Sequence, residues 1–139
     1  MEHAPGRVVS AFLLDTCALV WAILEPSRLS PRAVSALQDP QSAIHLLPIS
    51  VAEVACAVER GRLELNEHWK PWLRRHVQAN GWMYLAIDAS MVEEAYSLPS
   101  PFHTDPADRL IVATARLRQL TVITGDSKIL DYPHVQTVW

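Results

Sequence analysis

Val8-Val9-Ser10-Ala11-Phe12-Leu13-Leu14-Asp15-Thr16 is a nearly unbroken apolar run closed by a carboxylate. A run of that length, followed at once by a helical stretch from Cys17 to Leu24, reads as a strand buried on both faces that feeds a helix. The same alternation recurs along the chain. Further strands are expected at Ala43 to Leu47, Met83 to Ile87, Thr121 to Thr124 and a short Val135 to Val138. Between them, a helix opens on Ser30 as cap with Pro31 in its first turn and ends near Asp39-Pro40. Others run from Val51 to about Arg60 with Gly61 as stop, from Glu67 to Gln78 ahead of Asn80-Gly81, from Ala89 to Leu98, and from Pro106 to about Arg118. Strands alternating with helices in this way specify a largely parallel sheet of about five strands covered by helices on both sides.

The first strand ends on an acid, and the chain has counterparts at the equivalent places. Glu53 lies in Ser50-Val51-Ala52-Glu53, in the first turn of the helix expected after the second strand. Asp126 follows the fourth strand in Thr124-Gly125-Asp126. Asp108 sits at the mouth of the helix that leads into it, in His103-Thr104-Asp105-Pro106-Ala107-Asp108. Right-handed crossovers put every carboxyl end of a parallel sheet on one rim, where open sheets bind ligands. The acids are therefore expected to meet there, provided the segment from Leu98 to Thr104 brings Asp108 to the rim.

Two carboxylates about 4 Å apart repel by about 4 kcal/mol at an effective dielectric of 20, so such a cluster must bind protons or cations. All-oxygen ligation suits Mg²⁺ or Mn²⁺. Zinc would recruit histidine or cysteine, and none of the six histidines pairs with another at ligand spacing. Paired hard ions activate water for phosphodiester cleavage without a nucleophilic side chain. Each acid also fits a helix terminus: Ser50 to Glu53 has the form of a capping box, Asp105-Pro106-Ala107-Asp108 that of a cap, a first-turn proline and an acid, and Asp15 and Asp126 suit caps as well.

The remaining composition sets bounds. At 139 residues, half of them apolar, the chain should bury roughly two-thirds of its unfolded surface, enough for one domain spanning 1–139. The lead-in Met1-Glu2-His3-Ala4-Pro5-Gly6 lacks the pattern of a signal peptide, and no apolar run approaches the roughly twenty residues of a membrane span, so a cytoplasmic protein without membrane contact is expected. Cys17 and Cys56 have no metal-ligand spacing and are expected as buried free thiols. A net charge of −3 argues against a nonspecific duplex binder, though basic clusters recur at Arg28 and Arg32, Arg60 and Arg62, and Lys70, Arg74 and Arg75. Trp69, Trp72, Trp82 and Tyr84 are expected to serve packing rather than base stacking.

From Phe12 to Trp139 the chain resembles the PIN-domain proteins, specifically the VapC-like toxins of bacterial type II toxin-antitoxin systems. The resemblance rests on Leu13-Leu14-Asp15-Thr16, on Ser50-Val51-Ala52-Glu53-Val54-Ala55 with the following Gly61-Arg62-Leu63, on His103 to Leu110, and on Thr124-Gly125-Asp126. It implies a three-layer α/β/α PIN-like fold and an endoribonuclease dependent on Mg²⁺ or Mn²⁺. A cognate antitoxin protein, an RNA substrate and a homodimer are implied as partners. Asp15, Glu53, Asp108 and Asp126 would be the catalytic, metal-holding quartet. Asp105 would assist, Thr16 and Thr124 would orient carboxylates through hydrogen bonds, and Arg109 would contact phosphate. Read from its own position and not from the resemblance, His103 invites a general-base role, but in a proline-flanked loop it is expected instead to orient Asp108 or the loop itself. Thr104, Ala52 and Ala57 depart from residues common in relatives, which bears on substrate contacts and not on the quartet.

Rival chemistries fit less well. A phosphoacceptor receiver would need an acid beside Asp15 and a late lysine, and a haloacid-dehalogenase-like phosphatase would need an acid where Cys17 stands. The remaining alternative is a non-catalytic or weakly catalytic PIN module that acts as a protein- or RNA-binding partner, since a complete quartet denotes capacity and not turnover.

Overall fold

The computed structural model describes residues 10–139. Val8 and Val9 of the expected first strand, and the Met1 to Gly6 lead-in, lie outside them. Strand β1 (Ser10–Leu14) runs into helix α1 (Thr16–Leu24), and a 3-10 turn (Pro26–Arg28) leads to α2 (Pro31–Gln38). There follow β2 (Ser42–Leu46), α3 (Ile49–Glu59), α4 (Trp69–Asn80), β3 (Met83–Tyr84) and α5 (Ala89–Ala95). The chain closes with α6 (Pro106–Arg118), β4 (Thr121–Ile123), α7 (Ser127–Leu130) and β5 (Thr137–Val138).

All five strands are parallel, in the order β3-β2-β1-β4-β5. The chain builds outward from β1 through β2 to β3, then returns to the other side of β1 for β4. The order therefore reverses between β1 and β4, which pair in the register Phe12 with Thr121 and Leu14 with Ile123. In an open parallel sheet this crevice, at the carboxyl ends, is where ligands bind.

Period-two alternation along β1 sends successive leucines to opposite faces. Leu14 joins Ile44, Leu46 and Ile123 against Leu19 of α1, Ala33 of α2, Val54 of α3 and Leu73 of α4. Leu13 joins Val122 against Met91 of α5 and Ile111 and Ala115 of α6. Helices thus cover both faces, giving the three-layer α/β/α arrangement. Both leucines are fully buried, and burial of each stabilises the fold by about 1.5–3 kcal/mol, so the strand end that carries Asp15 is held from two sides. A third cluster packs Ala95 and Leu98 on Val112, Ala113, Ile129 and Tyr132, and ties α6 and α7 to the end of α5.

Several local expectations shift. Edge strand β3 stops at Tyr84, because it has one neighbour only and its last ladder contact is Leu85 N–H to the Leu46 carbonyl. Helix α3 starts two residues earlier than expected. Its cap position is Pro48, which makes no side-chain capping bond, so Ser50 and Glu53 do not form a capping box. Helix α4 begins at Trp69 with His68 accepting from Lys70 N–H, while Glu67 lies outside it, paired with Arg75 at 2.6 Å. Both cysteines are exposed rather than buried. No helix among the described residues is long and apolar enough to cross a membrane.

Candidate active site

Asp15 leaves β1 and at once caps α1. Its Oδ1 accepts the Ala18 N–H at 2.7 Å, and its Oδ2 accepts the hydroxyl of Thr124, which follows β4 directly. This hydrogen bond spans the β1–β4 crevice. Thr124 is fully buried and Asp15 is 4% exposed, so the pair sits beneath the rim instead of on it. The same Thr124 hydroxyl accepts the Asp126 N–H at 3.0 Å, and Asp126 then caps α7 through the Lys128 N–H at 2.9 Å. One threonine therefore links two of the acids.

Thr16, the first residue of α1, reaches the other way. Its hydroxyl donates to Glu53 Oε1 and lies 2.8 Å from the buried Ser50 Oγ. The capping signal that Ser50 carries in the sequence is therefore used across two helices. The actual helix start puts Glu53 in the second turn of α3, on the side that meets α1. Asp105 caps α6 through the Ala107 N–H at 3.0 Å, with Pro106 at the first helical position and Asp108 within the first turn.

The five carboxylates form one electrostatic neighbourhood. Burial pushes Asp15 up to about 6 against the pull of the Thr124 hydroxyl and the Ala18 N–H, with further upward contributions from Asp126 and Glu53. Asp108 is pushed up to about 7, by burial first and then by Asp105, Asp126, Glu53 and Asp15. Glu53 is raised by burial and by Asp105, against the Thr16 hydroxyl. Cys17, next to the cluster on α1, keeps exposed surface but is flanked by enough protein that desolvation, and then four of these acids, push it up to about 11. A thiol in that field is protonated and is no nucleophile.

Mutual influence is not coordination. Among the described residues no three His, Cys, Asp or Glu side chains form a ready-made metal-binding set. The carboxylates act on one another across the crevice while hydroxyl and backbone donors hold several of them apart. The donor chemistry nevertheless suits a hard divalent cation: carboxylate and hydroxyl oxygens surround a region whose acids are raised by burial and by one another.

His103 Nε2 is 3.2 Å from Asp108 Oδ2 without hydrogen-bond alignment, and this buried nitrogen has no hydrogen-bond partner. Arg109 departs from its expected use. Its guanidinium donates to the carbonyls of Ala95 and Phe102 at 3.0 and 3.1 Å and lies over the Tyr96 and Phe102 rings. It pins the segment between α5 and α6, and so brings Asp105 and Asp108 to the rim. Helix α5 ends at Ala95 rather than Leu98; Pro99 has no N–H to offer the Ala95 carbonyl, which Arg109 takes instead. Gly125 is required for a different approach: a Cβ there would stand 2.7 Å from the ring of Trp139, which packs over this loop. Ser50 and Cys17 are the site neighbours that the sequence did not single out for chemistry.

The model of the PIN domain family matches residues 12–135. Ribonuclease VapC22 of Mycobacterium tuberculosis is 34% identical over 136 residues, covering 94% of this chain and 100% of that protein. Among solved structures, FitAcB from Neisseria gonorrhoeae aligns with a TM-score of 0.58 at 27% identity, over 92% of this chain and 96% of that one. VapBC2 from Rickettsia felis, bound to a DNA fragment from its promoter, aligns with a TM-score of 0.64 at 16% identity over 92% and 97%, a likeness of fold alone.

Proposed function

This chain belongs to the PIN domain family, and from that premise we propose that it is a divalent-metal-dependent endoribonuclease, the toxin of a type II toxin-antitoxin pair. The proposal is supported by the electrostatic influence of Asp15, Glu53, Asp108 and Asp126 on one another beside the β1–β4 crevice, in a chain that matches a ribonuclease along nearly its whole length.

Asp15 and Asp108 would be the principal metal ligands, with Glu53 and Asp126 completing the site. Mg²⁺ or Mn²⁺ held by these carboxylates would supply activation of water and charge stabilisation for phosphodiester hydrolysis. The protein's own part is orientation. Thr124 fixes the Asp15 carboxylate and the Asp126 backbone together, and Thr16 fixes Glu53. Asp105 holds the start of α6, and Arg109 locks the preceding segment. His103, packed at 4.4 Å on Phe102, limits the rotation of Asp108. The proposal includes a cytoplasmic setting, one domain, an antitoxin partner and a homodimer, as the resemblance of the sequence implies; a toxin-antitoxin complex from Klebsiella pneumoniae shares the fold.

A non-catalytic RNA- or protein-binding module is the competing reading, and the lack of a ready-made ligand set among the described residues favours it. Incubation of antitoxin-free protein with structured and single-stranded RNAs, in Mg²⁺, Mn²⁺ or EDTA, separates the two. Cleavage is expected with either metal, none in EDTA, and none from folded Asp15→Asn or Asp108→Asn. Equal cleavage by the variants, or binding without cleavage across the panel, would defeat the nuclease reading.

A further inference from the structure

Helix α3 carries an acid of the site near its start and two arginines at its end. Residues spaced by three, four and seven share a helix face, so Glu53, Cys56, Ala57 and Arg60 form one stripe. A groove of about 270 Å³ follows that stripe, lined by Ala52, Glu53, Cys56, Ala57, Arg60 and Arg62. Arg62 lies beyond the helix and joins the groove because the chain doubles back. Gly61 takes the left-handed conformation at φ 71°, and the N–H groups of Arg62 and Leu63 both return to the Ala57 carbonyl, at 2.9 and 3.2 Å. Leu63 packs on the core and pins the turn.

The charges at this end are uncommitted. Arg28, Arg75, Arg116 and Arg118 are held by carboxylates and Arg109 by carbonyls. Among the described residues Arg60 and Arg62 have no such partner, and both are exposed. Proximity to the negative end of the α3 dipole gives them a modest structural role. That role does not explain why both line a groove that begins at Glu53, in a chain of net charge −3.

We propose that this groove is the track for the RNA strand, in which Arg60 and Arg62 bind backbone phosphates beside the scissile one. The inference rests on the nuclease reading and adds to it the path of the substrate. Seven residues of helix separate Glu53 from Arg60, a rise of about 10 Å, so the arginines reach a neighbouring phosphate and not the reacting one. They therefore serve binding more than turnover, and they offset the repulsion that the acidic rim exerts on a polyanion.

The test is fluorescence anisotropy of a labelled single-stranded oligouridylate with the Asp108→Asn protein in Mg²⁺, across a range of salt. Two contacts to a single strand contribute about 0.7 each to the salt slope. Adding Arg60→Ala and Arg62→Ala should lower the slope by about 1.4 and weaken binding about 25-fold at 0.1 M salt. Lysine at both positions should restore most of the slope, and Arg32→Ala on α2, the loss of one charge outside the groove, should leave it unchanged. With Asp108 intact, the double alanine variant should raise KM for cleavage and leave kcat within about twofold. An unchanged slope, an equal effect of Arg32→Ala, or no binding by the parent protein would overturn the track. An unmoved slope beside wild-type cleavage refutes the track and leaves the nuclease standing. The expected slope change without cleavage refutes the nuclease and leaves a phosphate-binding groove.

Discussion

Replacement of Thr124 by valine removes one oxygen from a fully buried position and keeps the side chain's shape. That oxygen has two partners: it donates to Asp15 Oδ2 and accepts the Asp126 N–H at 3.0 Å. A hydrogen bond to a charged group contributes about 1.5–3 kcal/mol, and a buried N–H left unmatched costs about 1–3 kcal/mol. A loss of about 3 kcal/mol is expected at pH 8, the two penalties being partly relieved by water at the rim. For a chain of this length that corresponds to a fall in melting temperature of about 10 °C. The penalty should depend on pH in a defined direction. Burial raises Asp15 to about 6 and the Thr124 hydroxyl holds it down, so without the hydroxyl the acid rises further. Above pH 6 the wild type carries an ionised Asp15 that uses the donor. At pH 5 the acid is largely protonated and needs it less, so the difference between the proteins shrinks. Thermal melts followed by circular dichroism in EDTA at pH 5 and pH 8 would check this. A fall of less than about 3 °C at pH 8, or equal falls at the two pH values, would refute the bridging role of Thr124.

Three further outcomes follow from the same geometry. Asp108 is raised from 3.8 to about 7, so its contribution to the stability of metal-free protein is intact below about pH 4 and lost as pH rises through about 7; Asp108→Asn should melt with a flatter profile between pH 5 and pH 8, and profiles parallel to wild type would contradict this. Gly125→Ala should drive Trp139 from its seat beside Trp21, with a shift in tryptophan fluorescence and a loss of about 1–3 kcal/mol, and an unaltered spectrum would show that the close approach is not required. Asp126→Ser should keep the α7 cap and stay within about 0.5 kcal/mol of wild type, whereas Asp126→Ala should cost about 1 kcal/mol; RNA cleavage assays on both should show loss of activity, and retention by the serine variant would remove Asp126 from the site.

Much of this was legible in the sequence because it depends on short-range rules. The apolar run into Asp15 specified a buried strand and a helix start, and Asp105-Pro106 specified the first turn of α6 to the residue. What escaped was set by distant partners. Ser50 looks like a cap when only Glu53 is in view, yet Thr16, 34 residues earlier in the chain, takes its hydroxyl. Arg109 looks like a free cation on a helix, yet its partners are carbonyls 7 and 14 residues before it. The Met83 to Ile87 run has strand-forming residues, but pairing on one side only cannot hold it beyond Tyr84. Cys17 and Cys56 illustrate the limit of composition: small apolar residues usually lie inside, but these two stand on helix faces turned toward the rim and the α3 groove.

Capping and catalysis are not rival explanations of these acids. Asp15, Asp105 and Asp126 each give Oδ1 to an N–H in the first turn of the helix that follows, α1, α6 and α7. In Asp15 the other oxygen accepts the Thr124 hydroxyl across the crevice. Three helix starts thus meet around the β1–β4 crevice, and their exposed N–H groups supply partial positive charge that stabilises a nearby anion by about 0.3–1 kcal/mol each. That sum does not offset burial together with the mutual repulsion of the acids, since Asp15 and Asp108 stay raised, by burial first and by their acidic neighbours second. The fold can therefore assemble the acids without fully neutralising them. A site left in that state retains a demand for positive charge, which the proposed divalent cation would meet at the rim and which Arg60 and Arg62 would meet along the groove for the proposed strand.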